Sequence, residues 1–118
     1  MFSKAYSAAI HGIDSLVVSV EADVSDGLPL FDMVGYLGSE VKEARERVRI
    51  AIKNSGFVLP AKRITVNLSP ADIRKEGTVF DLPVAIAILA AFGYIDEEKL
   101  KDCLVIGELS LNGNIRRV

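Results

Sequence analysis

The segment Arg74 to Ala85, RKEGTVFDLPVA, puts two cations, two carboxylates, a glycine and a hydroxyl in front of a run of apolar residues. A loop feeding a helix in this way could shape a hydrolytic site, because a helix start offers backbone N–H groups to an oxyanion and the loop could carry the nucleophile. That nucleophile would need an activating base beside it. Thr78 is the only hydroxyl in the loop, and a threonine next to Gly77 more often bonds its own backbone in a turn. Val84 and Ala85 have nothing that can attack. No nucleophile is visible, and Thr78 stays only as a disfavoured candidate.

Other site chemistries fail on residue type. A phosphate-cradling loop needs clustered glycines followed by Lys and Ser or Thr at a helix start, and neither GYLGSEVK nor KEGTVFDL meets that pattern. No ATP site is expected here. His11 is the only histidine and Cys103 the only cysteine, so a structural zinc site is excluded. Cys103, within CLVIGEL, reads as a buried thiol; it has no internal disulfide partner, which points to a reducing compartment and a cytoplasmic location. The start MFSKAYSAAIHG lacks a long apolar stretch, and LPVAIAILAAFGYI contains Pro83 and is too short to span a bilayer, so no membrane partner is expected.

Charge is where the chain departs from an ordinary acidic domain. Residues 1–38 hold one base against five acids, residues 39–76 nine against five, and the remainder four against six. The net −2 therefore hides a basic middle third. Within it Lys42, Arg45, Arg49 and Lys53 recur at helical spacing and form one row, with Lys62, Arg63, Arg74 and Lys75 in the neighbouring loops. Two readings stand. One is a solvated helix face balanced by Glu40, Glu43 and Glu46; the other is a surface tracking DNA phosphates without reading sequence.

The elements that must position these groups follow from periodicity. FSKAYSAAIHG and SLVVSVEADVS alternate and read as a hairpin turning at Gly12-Ile13-Asp14, with Val18, Val20, Ala22 and Val24 on the inner face. LFDMVGY reads as a short strand. Ser39 to Ser55 has a helical period, with Ser39 as N-cap, Asn54-Ser55-Gly56 as the stop, and Val41, Ala44, Val48, Ile52 and Ser55 on the packed face. RITVNLSP is a strand, Asp81 is the expected N-cap of a buried helix running to about Phe92, DEEKLKD is a short surface helix, and the last segment reads as two strands about Asn112-Gly113. Half the residues are apolar, enough for one α+β domain with a real core over 1–118. Val118 falls in mid-strand, so a longer protein is expected.

The runs VKEARERVRIAIKNSGFVLPAKRITVNLSPADIRKEGTVFDLPVAIAILAA and GELSLNGNIRRV resemble the N-terminal domain of the Mg-chelatase-like AAA+ ATPases of the ComM/YifB competence family. The resemblance implies a Lon-protease-like, ribosomal protein S5 domain 2-like α+β fold: a mixed sheet with two main helices packed on it. It also implies an AAA+ module downstream that supplies ATP and Mg chemistry, a hexameric parent, and a role in DNA branch migration during natural transformation. Lon-type peptidases carry Asp-Gly-Pro-Ser at the start of the matching helix, the Ser being the nucleophile. Here Asp81-Leu82-Pro83-Val84 stands in that place, so the nucleophile's position is Val84, and Asp81 and Pro83 are left with a structural role. The reading that results is a non-catalytic module for DNA engagement or ring assembly. A pure oligomerisation domain and a degenerate peptidase are the alternatives.

Overall fold

Alternation in the first two runs builds a long antiparallel ribbon from β1 (Phe2–His11) and β2 (Asp14–Ser25), paired from Phe2↔Asp23 to His11↔Asp14. The structure, a computed structural model, describes residues 1–11 and 14–116. Gly12 and Ile13 of the expected turn, the side chain of His11, and the expected mid-strand Val118 lie outside the described residues. Two further strands complete the sheet: β3 (Phe31–Val34) runs parallel to β4 (Arg63–Ser69), and β4 runs antiparallel to β2, in the order β1-β2-β4-β3. The parallel pair requires a crossover, and α1 (Ser39–Asn54) supplies it.

One face of this sheet carries Ala5, Val18, Val20, Ala22, Ile64, Val66 and Leu68, all buried. Period-2 geometry puts the polar partners Ser19, Glu21, Thr65, Asn67 and Ser69 on the other face, where the Glu21 carboxylate accepts from Asn67 Nδ2 at 2.9 Å and Ser69 Oγ at 3.3 Å. Both helices bury into the apolar side. In α1 the buried residues are Val41, Ala44, Val48, Ala51 and Ile52, an i, i+3, i+4 stripe; Ser55, expected on that face, is an exposed C-cap, and Ala51 takes the place instead. The second helix, α2 (Asp81–Ala91), is apolar nearly all round and forms the centre of the core, with Val84, Ala87 and Ile88 fully enclosed. Burying a residue such as Ile88 contributes about 1.5–3 kcal/mol, so a charge at that position would unseat the helix from the sheet.

The α+β class with a mixed sheet and two main helices is as expected, and the local differences have clear causes. The N-cap of α1 is Gly38, not Ser39, because Gly38 holds the extended backbone, with its N–H donating to Lys75 O at 2.7 Å while its own carbonyl accepts from Lys42. The N-cap of α2 is Phe80, and Asp81 is already helical. Cys103 is exposed, not buried: it follows the 3₁₀ turn Glu97–Leu100 at the surface, and its thiol lies 3.5 Å from the Lys99 carbonyl oxygen. The final segment forms the expected pair, though short: β5 (Glu108–Leu109) and β6 (Ile115–Arg116), closed by Gly113 N–H to Ser110 O at 2.9 Å. No helix among the described residues is long and apolar enough to cross a membrane.

Candidate nucleic-acid interface

The first polar group to place is the carboxylate at the start of α2. Asp81, Pro83 and Val84 are all fully buried, so the position matching a peptidase nucleophile faces packed side chains. A carboxylate so enclosed must be paired. Asp81 accepts from Arg47 Nε at 2.7 Å and Arg47 NH2 at 2.9 Å, and from the Leu109 N–H at 3.1 Å. Arg47 also donates to the Glu40 carbonyl at 2.8 Å. The hydrogen bond to Asp81 raises the Arg47 guanidinium above its ordinary pKa, against the opposing pull of burial. The group joins α1, α2 and β5 rather than opening toward a substrate.

Asp81 therefore keeps a structural role, but as a tie between elements and not as the expected cap. Arg47 was missed from the sequence because its neighbours Arg45 and Arg49 belong to an obvious surface row. The available signal was the single acid heading an otherwise apolar helix, which demands a cation from another element. Thr78 is half-buried in the turn before α2, and its carbonyl accepts from Asp81 N–H at 3.3 Å.

Among the expected phosphate contacts, Lys42, Arg45, Arg49 and Lys53 are all exposed, along one flank of α1. Arg49 pairs with Glu46 at 2.8 Å, and the bond from Arg49 lowers the pKa of that carboxylate. Arg45 reaches the Phe31 carbonyl at 3.4 Å. Lys42, Arg45 and Lys53 form no ion pair among the described residues, whereas Arg63 lies 3.9 Å from Asp32, Arg74 lies 2.9 Å from Glu76, and Lys62 pairs with Asp26. Such exposed pairs contribute little and can be exchanged for a phosphate.

Lys75 departs from the expectation. Its side chain is fully buried, with the ammonium donating to the Gly35 carbonyl at 2.7 Å and to the Pro70 carbonyl. Desolvation lowers its pKa, and Asp72 partly opposes that shift. No phosphate can reach it, so it leaves the candidate group. The reason is tertiary: the loop after β4 folds back on the turn after β3, and Leu37 and Lys75 form a bridge between them.

The described residues bring no three His, Cys, Asp or Glu side chains together as a metal-binding group.

With that geometry in place, comparisons with known proteins add a family. The family described as subunit ChlI of Mg-chelatase matches residues 20–118. The chain is 48% identical over 116 residues to the uncharacterized protein YifB of Escherichia coli, covering 98% of this chain and 23% of that protein. It is 50% identical over 113 residues to the competence protein ComM of Haemophilus influenzae, covering 96% of this chain and 22% of that one. The chain thus spans less than a quarter of the length of the curated relatives it matches.

Proposed function

The chain belongs to the family described as subunit ChlI of Mg-chelatase, and from that membership we propose that it is the DNA-engaging, non-catalytic part of a longer cytoplasmic ComM-like AAA+ ATPase. ATP and Mg would be handled by the rest of that protein, which assembles as a hexamer. The observation that carries the reading is the exposed flank of α1, where Lys42, Arg45 and Lys53 have no carboxylate partner among the described residues and Arg49 has only an exposed one. A strand laid along that flank would exchange condensed counterions for these side chains, giving affinity that is steep in salt and nearly indifferent to sequence.

Reversing all four charges to glutamate should weaken DNA binding by more than about tenfold at moderate salt and flatten the salt slope by roughly three units. Fluorescence anisotropy across a salt titration measures both. An unchanged slope would remove the row from the interface.

The sealed start of α2 supports the non-catalytic half of this reading, since a residual peptidase would need that position open. A second reading, ring or dimer assembly without DNA contact, draws on the exposed Ile10, Val17, Leu104 and Ile106. Under that reading self-association survives the charge reversal, and the four substitutions leave no phenotype.

A further inference from the structure

The turn between β3 and α1 is built to an unusual specification. A Cβ at Gly35, whose φ is +121°, would come within 2.2 Å of the Leu68 carbonyl oxygen, so only glycine lets the turn lie against β4. The next residue, Tyr36, has φ 58°, a left-handed conformation that costs a side-chain-bearing residue roughly 1–2 kcal/mol. The surroundings enforce it. Tyr36 O accepts from Lys75 N–H at 3.0 Å, Gly38 N–H donates to Lys75 O at 2.7 Å, and the buried Lys75 ammonium holds Gly35 O at 2.7 Å.

All this bonding presents an aromatic ring to solvent, since Tyr36 is 55% exposed. A strained backbone that served packing alone would bury the ring and recover its apolar area. Instead the ring borders an open groove of about 620 Å³, floored by Met33, Val34 and Leu37, with Lys42 and Arg74 on its walls and no carboxylate in its lining. The Arg74 guanidinium lies 6.0 Å from the ring centroid, at the limit of cation–π reach. Arg74 has one exposed ion-pair partner, Glu76, and Lys42 has none among the described residues.

We propose that this groove is a stacking site for a base of single-stranded DNA, with the Tyr36 ring and Arg74 guanidinium as the platform and Lys42 as a phosphate contact. The proposal rests on the DNA-engaging reading above and assigns it a strand preference. Duplex DNA hides its base faces in the stack, so an outward ring is useful only to an unpaired strand. An acidic peptide would satisfy the cations but leave the ring without a purpose. The groove also continues the basic flank, because Lys42 belongs to both. A strand following Lys53, Arg49, Arg45 and Lys42 along about 16 Å of helix would end with a base over Tyr36.

The test is binding of the chain to labelled oligothymidylate of about a dozen residues and to a mixed-sequence duplex, for the parent, Tyr36→Gly and Tyr36→Phe. Tyr36→Gly removes the ring and relieves the left-handed backbone, so a loss of binding cannot be ascribed to unfolding. The expected result is a loss of about 5- to 100-fold on the single strand with an unchanged salt slope, no change on the duplex, and Tyr36→Phe within about twofold of the parent. Parent-like binding by Tyr36→Gly would overturn the stacking site and leave the DNA-engaging reading standing, as would an equal loss on the duplex. Competition by adenosine monophosphate as effective as that by the oligonucleotide would also overturn it, in favour of a free-nucleotide site. A parent chain that binds neither DNA would remove both readings.

Discussion

The two main helices begin without a capping side chain, yet their starts are opposites. At α2 the polar group is a fully buried carboxylate, and every strong donor near it is pointed inward: Arg47 in two places and the Leu109 N–H. At α1 the start lies beside an open groove, with an exposed tyrosine in a left-handed conformation and cations facing water. Polar chemistry that is fully satisfied inside the protein binds elements to one another. Polar and aromatic groups held rigidly but left facing solvent are what a ligand can use. The place that resembles an active site in sequence is thus the structural one, and the turn that carries no catalytic motif is the one we propose for a partner.

Breaking the satisfied end should have the largest effect. Arg47→Ala leaves the Asp81 carboxylate buried and unpaired, and is expected to cost about 3–5 kcal/mol in chemical denaturation. Replacing both partners by apolar residues, Arg47→Met with Asp81→Leu, should recover much of that loss. A double variant as unstable as the single one would mean that the Asp81 bond to Leu109, rather than the ion pair, holds the three elements together.

A smaller effect is expected where the two regions meet in the buried Lys75. Lys75→Met withdraws a donor from Gly35 O and Pro70 O and should cost about 1–3 kcal/mol, with faster amide exchange at Gly38. The pH dependence has a defined sign. Burial lowers the folded-state pKa, so below it both folded and unfolded chains carry the proton. As pH rises through the folded value toward the ordinary lysine range, the folded state sheds its proton first, and the parent should gain stability relative to Lys75→Met. A difference that shrinks over that window would mean the two carbonyls outweigh desolvation.

The smallest effect sharpens the comparison at Tyr36. With glycine there, the chain should be about 1 kcal/mol more stable than with alanine, because alanine keeps the left-handed penalty. Thermal unfolding of the pair measures it. Equal stability would mean the turn relaxes, and the ring is not held outward by strain.

Much of the fold was legible because its signals are local. Alternation in SLVVSVEADVS and the helical period from Val41 to Ile52 each report which face is buried, the apolar run after Asp81 reports a helix enclosed nearly all round, and the sheet and two helices follow. The exposed row of α1 was legible for the same reason, since residues three and four apart must share a flank. The loop cations were a different matter: composition placed Lys75 beside Arg74 as equals, yet one is sealed and the other exposed.

What the sequence determined by itself, then, is the set of elements, the basic flank and the absence of a nucleophile at Val84. Those depend on residue type and on spacing within one element. Only the tertiary structure decided that Asp81 takes Arg47 across 34 residues of chain, and that Lys75 reaches back 40 residues to clamp the turn displaying Tyr36. Such pairings depend on where the chain crosses itself, and desolvation acts on the assembled interior, so no local pattern carries them.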